Sequence, residues 1–259
     1  MRKKYIFFDI DGTLTYNDRT KGTSTVPDST YKALDALRKN GHFVSIATGR
    51  SHWMAMSVVN QIGIDNLVTD GGNGIVLDGK LVELLPLDPA VINPLIIDLD
   101  KDSIGYGVML SDDNRIFYKN EIFLQKVQEF PAFQYVFAQD LDFCQKNVYK
   151  IFIGLTLKEE SAYPILTKIP HIRYRDTALM IEPMDKYAGI LRVMQYIHGS
   201  TDDIVVFGDG WNDIDMFSKA PLSVAMGNAV EPLKKQASFI TKPVNEDGIA
   251  YACRHFGWI

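Results

Sequence analysis

The feature that most constrains this chain is a four-residue apolar run, Tyr5-Ile6-Phe7-Phe8, that stops at Asp9 and Asp11 and then Gly12-Thr13. A continuous apolar run this short, closed by Gly, predicts a strand buried on both faces rather than a helix. Open parallel sheets bind their ligands outside the carboxyl ends of such strands. The i, i+2 spacing turns both carboxylates to one side if strand geometry persists that far. Neighbouring carboxylates repel, so a bound cation or a shared proton is expected between them.

The rest of the first third alternates in the same way. A polar loop over 18–25 leads to a helix opened by Val26-Pro27-Asp28-Ser29-Thr30, with Tyr31, Leu34 and Leu37, and Ala33 beside them, on its apolar face. His42 to Ala47 reads as a second strand ending in Thr48-Gly49-Arg50-Ser51. A helix follows from His52 to about Ile62, and a third strand over Asn66-Leu67-Val68-Thr69. This βαβαβ rhythm predicts an α/β fold, a Rossmann-like doubly wound parallel sheet. The run 75–82, with Asp78-Gly79 at its centre, predicts an antiparallel hairpin.

From there to about Met180 the rhythm changes. Helical segments around Pro89–Asp98 and Asn120–Glu129 alternate with strand-like runs at 106–110, 116–118, 148–155, 171–174 and 178–181. Several alternate at period two, which suits an antiparallel sheet. The α/β pattern then resumes with a helix from Tyr187 to Gly199, the strand 203–207 and the cluster Gly208-Asp209-Gly210-Trp211-Asn212-Asp213. A helix over 214–219, the strand 223–226, Phe239-Ile240 and a last helix over 248–255 complete it. The expected organisation is a core of residues 1–81 and 183–259 with an α+β domain, 82–182, inserted between its two parts.

Net charge is −5 with no basic block, which gives no electrostatic support to nucleic-acid or membrane-surface binding. The basic, then apolar N-terminus imitates a signal peptide, but Asp9 and Asp11 interrupt the apolar stretch too soon. No stretch approaches a membrane span. Cys144 and Cys253 are the only cysteines, which excludes a disulfide framework and suits a reducing cytoplasm. Each reads as apolar filler.

Several strands end in polar clusters: Asp9/Asp11, Thr48, Gly71-Gly72-Asn73 and Asp209/Asn212/Asp213. In a parallel sheet these share one edge. A single Asp there is usually a helix N-cap, but capping strains as an account of the whole set. Competing motifs fail on spacing. Thr13, Leu14 and Thr20 stand where a calcium loop needs an oxygen ligand, Gly and Glu. No dinucleotide fingerprint, G-x-x-x-x-G-K phosphate loop, paired-histidine zinc spacing or G-x-S-x-G elbow occurs. Two carboxylates could serve a glycosidase, but the further acidic pair Asp209 and Asp213 suits a hard cation better.

FFDIDGTL, ATGR, a Lys followed by a helix and FGDGWNDIDM occur in this order. With that set the whole chain resembles the phosphatases of the haloacid dehalogenase superfamily. The insertion between the second and third motifs is similar to that of the Cof-type subgroup, with its α+β (C2B-type) cap. The resemblance implies Asp9 as a nucleophile that becomes an aspartyl-phosphate, and Asp11 as the general acid/base. It implies Thr48 and Lys186 as phosphate-binding groups, and Mg²⁺ held by the Asp9 carboxylate, the Asp11 backbone carbonyl and Asp209. Asn212 is implied for substrate and Asp213 for orienting Lys186, with Gly12 among the substrate-binding positions. Arg50 either binds phosphate or pairs structurally. Trp211 reads as a packing residue, with a substrate platform as the alternative.

Two departures from the pattern stand out. Gly71-Gly72 occupies a place where relatives carry Asn-Gly, with Asn73 one position later, and Tyr187 follows Lys186 where Gly is frequent. The implied activity is Mg²⁺-dependent hydrolysis of small phosphorylated metabolites such as sugar phosphates or phosphorylated cofactors, by a monomer or weak homodimer. The cap is expected to close over the substrate and set specificity, with Tyr106, Arg115, Lys150, Arg173 and Arg175 as polar candidates. A phosphomutase, or a non-catalytic regulator that binds phosphometabolites, is the alternative.

Overall fold

The structure is a computed structural model that describes residues 2–18, 23–127 and 129–259. Residues up to Leu84 together with Met184–Ile259 form one compact unit, and Leu85–Pro183 form a second.

The first unit is built on an eight-stranded sheet. Its strands lie in the order Phe239–Ile240, Leu222–Ala225, Ile204–Gly208, Tyr5–Phe8, Phe43–Ala47, Leu67–Thr69, Gly74–Leu77 and Lys80–Leu84. The first six run parallel and the last two antiparallel. The opening strand sits fourth in this order, between Ile204–Gly208 and Phe43–Ala47. A strand placed there is covered on both faces, which is why its sequence is apolar throughout. Ile6 and Phe8 pack into one apolar layer with Leu34 and Leu37 of the helix Asp28–Lys39, Val58 and Val59 of His52–Ile62, and Ala252 of Gly248–His255. Phe7 points the other way, into the layer formed by Ile190, Val193, Met216 and Leu233. Helices on both faces of a mainly parallel sheet make this a doubly wound α/β fold.

The second unit is a six-stranded sheet, ordered Gln134–Phe137, Arg115–Tyr118, Tyr106–Met109, Lys150–Ile153, Ala178–Ile181, His171–Arg175. Tyr106, Val108, Ile151, Ile153, Leu179 and Ile181 alternate along their strands and meet Ile92, Leu95, Ile96 and Leu99 of the helix Pro89–Lys101. Asp88 caps that helix by accepting from the Ala90 N–H at 2.9 Å, and Pro89 starts it where a missing N–H costs nothing.

Most elements match their sequence patterns, and the exceptions have local causes. Gln134–Phe137 pairs in parallel with Arg115–Tyr118 at the sheet edge and is partly exposed, so no period-two burial marks it. Glu231–Gln236 buries only Leu233, too little for a helical period. The helix expected around 120–129 is reduced to Ile122–Lys126, with residue 128 outside the described residues. Of the polar loop over 18–25, residues 19–22 lie outside them too, while Tyr16–Asp18 and Thr23–Thr25 pair as short antiparallel strands. The hairpin turn is as read, with φ of 49° at Asp78 and 73° at Gly79, and its second strand continues to Leu84.

Candidate active site

The site lies at the carboxyl ends of the parallel strands. The opening strand ends at Phe8, and the Asp9 N–H still donates to the Phe207 carbonyl at 3.0 Å. Beyond it the chain turns sharply: the Leu14 and Thr15 N–H groups both donate to the Ile10 carbonyl, and Gly12 adopts φ +83°. A side chain at Gly12 would collide with the Asp209 carboxylate, 2.0 Å from its ideal Cβ. Glycine is required there on both counts.

That turn corrects the expectation that Asp9 and Asp11 share a face. Strand alternation ends before Asp11 is reached. Asp9 is buried, whereas the Asp11 side chain is 61% exposed and is held by Arg50 through two parallel contacts, Nη2 to Oδ1 at 2.6 Å and Nε to Oδ2 at 2.8 Å. Arg50 therefore pairs with Asp11, and its own N–H donates to the Thr48 hydroxyl at 3.1 Å. Thr48 is buried where the strand Phe43–Ala47 ends, its N–H donating to the Val68 carbonyl.

Lys186 opens the helix Lys186–Tyr196, which Asp185 caps by accepting from the Ala188 N–H at 2.8 Å. Its side chain is 2% exposed and its Nζ donates to Asp9 Oδ1 and to Asp213 Oδ1, both at 2.7 Å. Asp213 is fully buried, and its other oxygen, Oδ2, accepts from the Asp209 and Gly210 N–H groups at 3.0 Å each. One carboxylate thus ties the loop after Ile204–Gly208 to the lysine that reaches Asp9. Asp9 accepts Lys186 through Oδ1, and its Oδ2 takes no hydrogen bond among the described residues.

Gly72 also has a steric reason. Gly72 has φ +120°, and a Cβ there would lie 2.1 Å from the Asp185 carbonyl oxygen, so only glycine lets the Lys186 helix start this close. The Gly72 carbonyl accepts from Arg192 of the same helix.

Charge in this cluster is unbalanced. Burial pushes the Asp9 carboxyl up to about 7, with Lys186 pulling it back and Asp213 adding to the rise. Asp209, half-buried, is likewise raised to about 7 by burial first and the Asp213 charge second. Burial pulls Lys186 down, but Asp213 and Asp9 together hold it above its usual range.

Oxygen atoms of Asp9, Asp209 and Asp213 all lie within 4.8 Å of one another. Three carboxylates facing one lysine, all of them oxygen donors, fit a hard divalent cation. Asp213 already spends both oxygens on Lys186 and the loop N–H groups, which leaves Asp9 and Asp209 as the carboxylates that fit such an ion best.

Asn228 was not singled out in the sequence. Its side-chain amide donates to the Gly12 carbonyl at 2.8 Å and lies 3.4 Å from Asp209 Oδ2, while its Oδ1 accepts from the Val244 N–H. The available signal was its place in the turn after Leu222–Ala225, on the same sheet edge as the other clusters. Asn212 is half-buried in the turn Trp211–Asp213. Trp211 is 66% exposed, so the packing reading is corrected: the core positions of this segment go to Met216 and Phe217. Cys253 is buried and Cys144 half-buried.

Residues 6–253 match the model of the haloacid dehalogenase-like hydrolases. The chain belongs to this family. It is a haloacid dehalogenase-type phosphatase of the Cof-type branch. A Bacillus subtilis protein named "Putative phosphatase YkrA" is 31% identical over 259 residues, covering 99% of each chain. A crystal structure of a hypothetical protein from Geobacillus kaustophilus superposes with a TM-score of 0.83 at 30% identity, covering all of both chains. The subclass IIB sugar phosphatase BT4131 gives 0.77 at 26% identity, over 99% of this chain and all of its own. Among the described residues of the phosphatase, no helix is long and apolar enough to cross a membrane.

Proposed function

We propose that the chain hydrolyses phosphomonoesters of small metabolites, such as sugar phosphates or phosphorylated cofactors, through an aspartyl-phosphate on Asp9. One observation carries this reading: Asp9 is anchored to Lys186 by Oδ1 while Oδ2 takes no hydrogen bond among the described residues. A nucleophile fixed by one oxygen and available through the other is pre-organised for attack.

In the first step Asp9 Oδ2 bonds to phosphorus, the ester P–O bond breaks, and the leaving oxygen takes a proton from the Asp11 carboxyl. In the second, Asp11 removes a proton from water as that water attacks the phosphorus of the aspartyl-phosphate. Phosphate leaves and Asp9 is restored. Asp11 must exchange Arg50 for the leaving-group oxygen, and an exposed ion pair is cheap to open. Lys186 neutralises phosphoryl charge beside Asp9, and Asp213 holds it there. In this reading the Thr48 hydroxyl and the backbone around Gly12 bind the phosphate, and Asn212 contacts the substrate.

Mg²⁺, held by the carboxylates of Asp9 and Asp209 and the Asp11 carbonyl, would offset the repulsion between phosphate and Asp9. The proposed setting is cytoplasmic, for a monomer or weak homodimer, with residues 82–182 acting as a cap that sets specificity. Phosphate release from a panel of phosphorylated metabolites, with Mg²⁺ present and then chelated, tests this reading. Metal-dependent release from a narrow subset supports it. Transfer of phosphate between positions of one substrate, without release, would instead establish a phosphomutase.

A further inference from the structure

The loop that carries Asp209 and Asp213 also carries the most exposed aromatic ring among the described residues, and the chemistry above gives it no task. Trp211 follows Gly210, whose N–H is held by Asp213 Oδ2 at 3.0 Å. It precedes Asn212 in the short helical turn Trp211–Asp213. The Asp209 and Gly210 N–H groups just before the ring are therefore pinned to the carboxylate that positions Lys186. An apolar layer lies next to this segment, yet Met216 and Phe217 fill it while the Trp211 side chain stays 66% exposed. The ring takes part in no aromatic contact among the described residues, unlike the buried Trp258, which stacks on Phe256.

Leaving so large an apolar surface in water forgoes the gain of burying it. Tryptophan offers a rigid, flat contact surface that loses little conformational entropy on binding. It cannot neutralise a phosphate, a task for which Lys186 is already placed.

We infer that Trp211 is a specificity-determining residue that stacks on the leaving group, which selects phosphomonoesters whose leaving group contains a ring with an apolar face. That chemistry is shared by the C–H face of a cyclic sugar and the π face of a heteroaromatic ring. The inference rests on the phosphatase reading, and it narrows the substrate class within it.

The test compares kcat/KM for glucose 6-phosphate and pyridoxal 5′-phosphate with that for sorbitol 6-phosphate, which keeps the carbon chain and hydroxyls of the first but has no ring. In Trp211→Ala the ratio of ring to open-chain substrate falls by about 5- to 150-fold, the range that loss of one stacked ring gives, mainly through KM. Trp211→Phe restores most of it. Whichever ring substrate loses more identifies the type of ring selected. An equal fall on all three substrates, no change on any, or a Phe variant as poor as the Ala variant overturns the inference.

A second measurement separates this from the reading beneath it. Glucose 6-phosphate should quench tryptophan fluorescence in Asp9→Asn, and the quench should be lost when Trp211→Phe is added. If no phosphomonoester is hydrolysed, the phosphatase reading fails. A quench that depends on Trp211 then still upholds the ring contact, and a quench indifferent to it overturns the contact.

Discussion

Asp9 and Asp11 stand two residues apart and have opposite settings. Asp9 is buried and tied through Lys186 to a fully buried Asp213. Asp11 is mostly exposed and rests on Arg50. In the proposed mechanism the difference separates a fixed half of the site from a movable one. A nucleophile gains from being held still, because attack needs a fixed approach. A group that gives a proton in one step and takes one in the next has to reach different oxygens, and an exposed ion pair lets go at little cost.

Asp9→Asn is the harshest challenge to that contrast. It should lower phosphate release by a factor on the order of 10⁴–10⁶, as loss of a nucleophile does elsewhere. The fold should persist, because one buried charge is removed and Lys186 keeps Asp213. Wild-type turnover in this variant would place the nucleophile elsewhere.

Asp11→Asn should cost about 10²–10⁴ in rate. Its stability should change by only about 0–1 kcal/mol, since the pair with Arg50 is exposed. A marked loss of stability in urea titration would show that Asp11 belongs to the fixed half after all.

Lys186→Met should show both effects together. Loss of the cation from the phosphoryl site should lower kcat by about 10²–10³. Loss of the lysine that bridges Asp9 and Asp213 should cost about 3–5 kcal/mol in unfolding experiments, as removing one partner of a buried pair does. Unchanged stability would mean that solvent reaches the cluster.

The smallest effect sharpens the picture of the fixed half. Asp9 and Asp209 are raised from 3.8 to about 7 in the folded protein. Between those values the folded state binds more protons than the unfolded one, so metal-free stability should fall as pH rises from about 4 to 7. Mg²⁺ competes with those protons, so it should raise Tm more at pH 8 than at pH 5. A metal-free Tm that rises across this window would contradict the unbalanced cluster.

The residues of both halves were legible in the sequence, but the geometry of the second was not. Asp9 and Asp209 follow buried strands, so topology brings them to one edge, whereas Lys186 is implied only by the resemblance to the family. Asp11 stands in a turn held by bonds to the Ile10 carbonyl, where strand periodicity no longer predicts direction. Its partner Arg50 is 39 residues away, and only the register of neighbouring strands brings them together. Gly72, which agrees with the family's Asn-Gly, is required by the approach of the Asp185 carbonyl, a contact visible only in three dimensions, and nothing in the structure explains Gly71 in place of Asn. Asn228 was missed because a Gly-Asn turn carries no chemistry until the Gly12 carbonyl is found beside it. Trp211 is exposed although apolar size suggests burial, since Met216 and Phe217 take the core positions beside it.

The most direct test of the central claim is to quench the enzyme in acid during turnover of p-nitrophenyl phosphate and map the phosphorylated peptide by mass spectrometry. One phosphoryl group is expected, on Asp9, and it disappears together with turnover in Asp9→Asn. A phosphoryl group on another residue, or turnover undiminished in that variant, would contradict the claim.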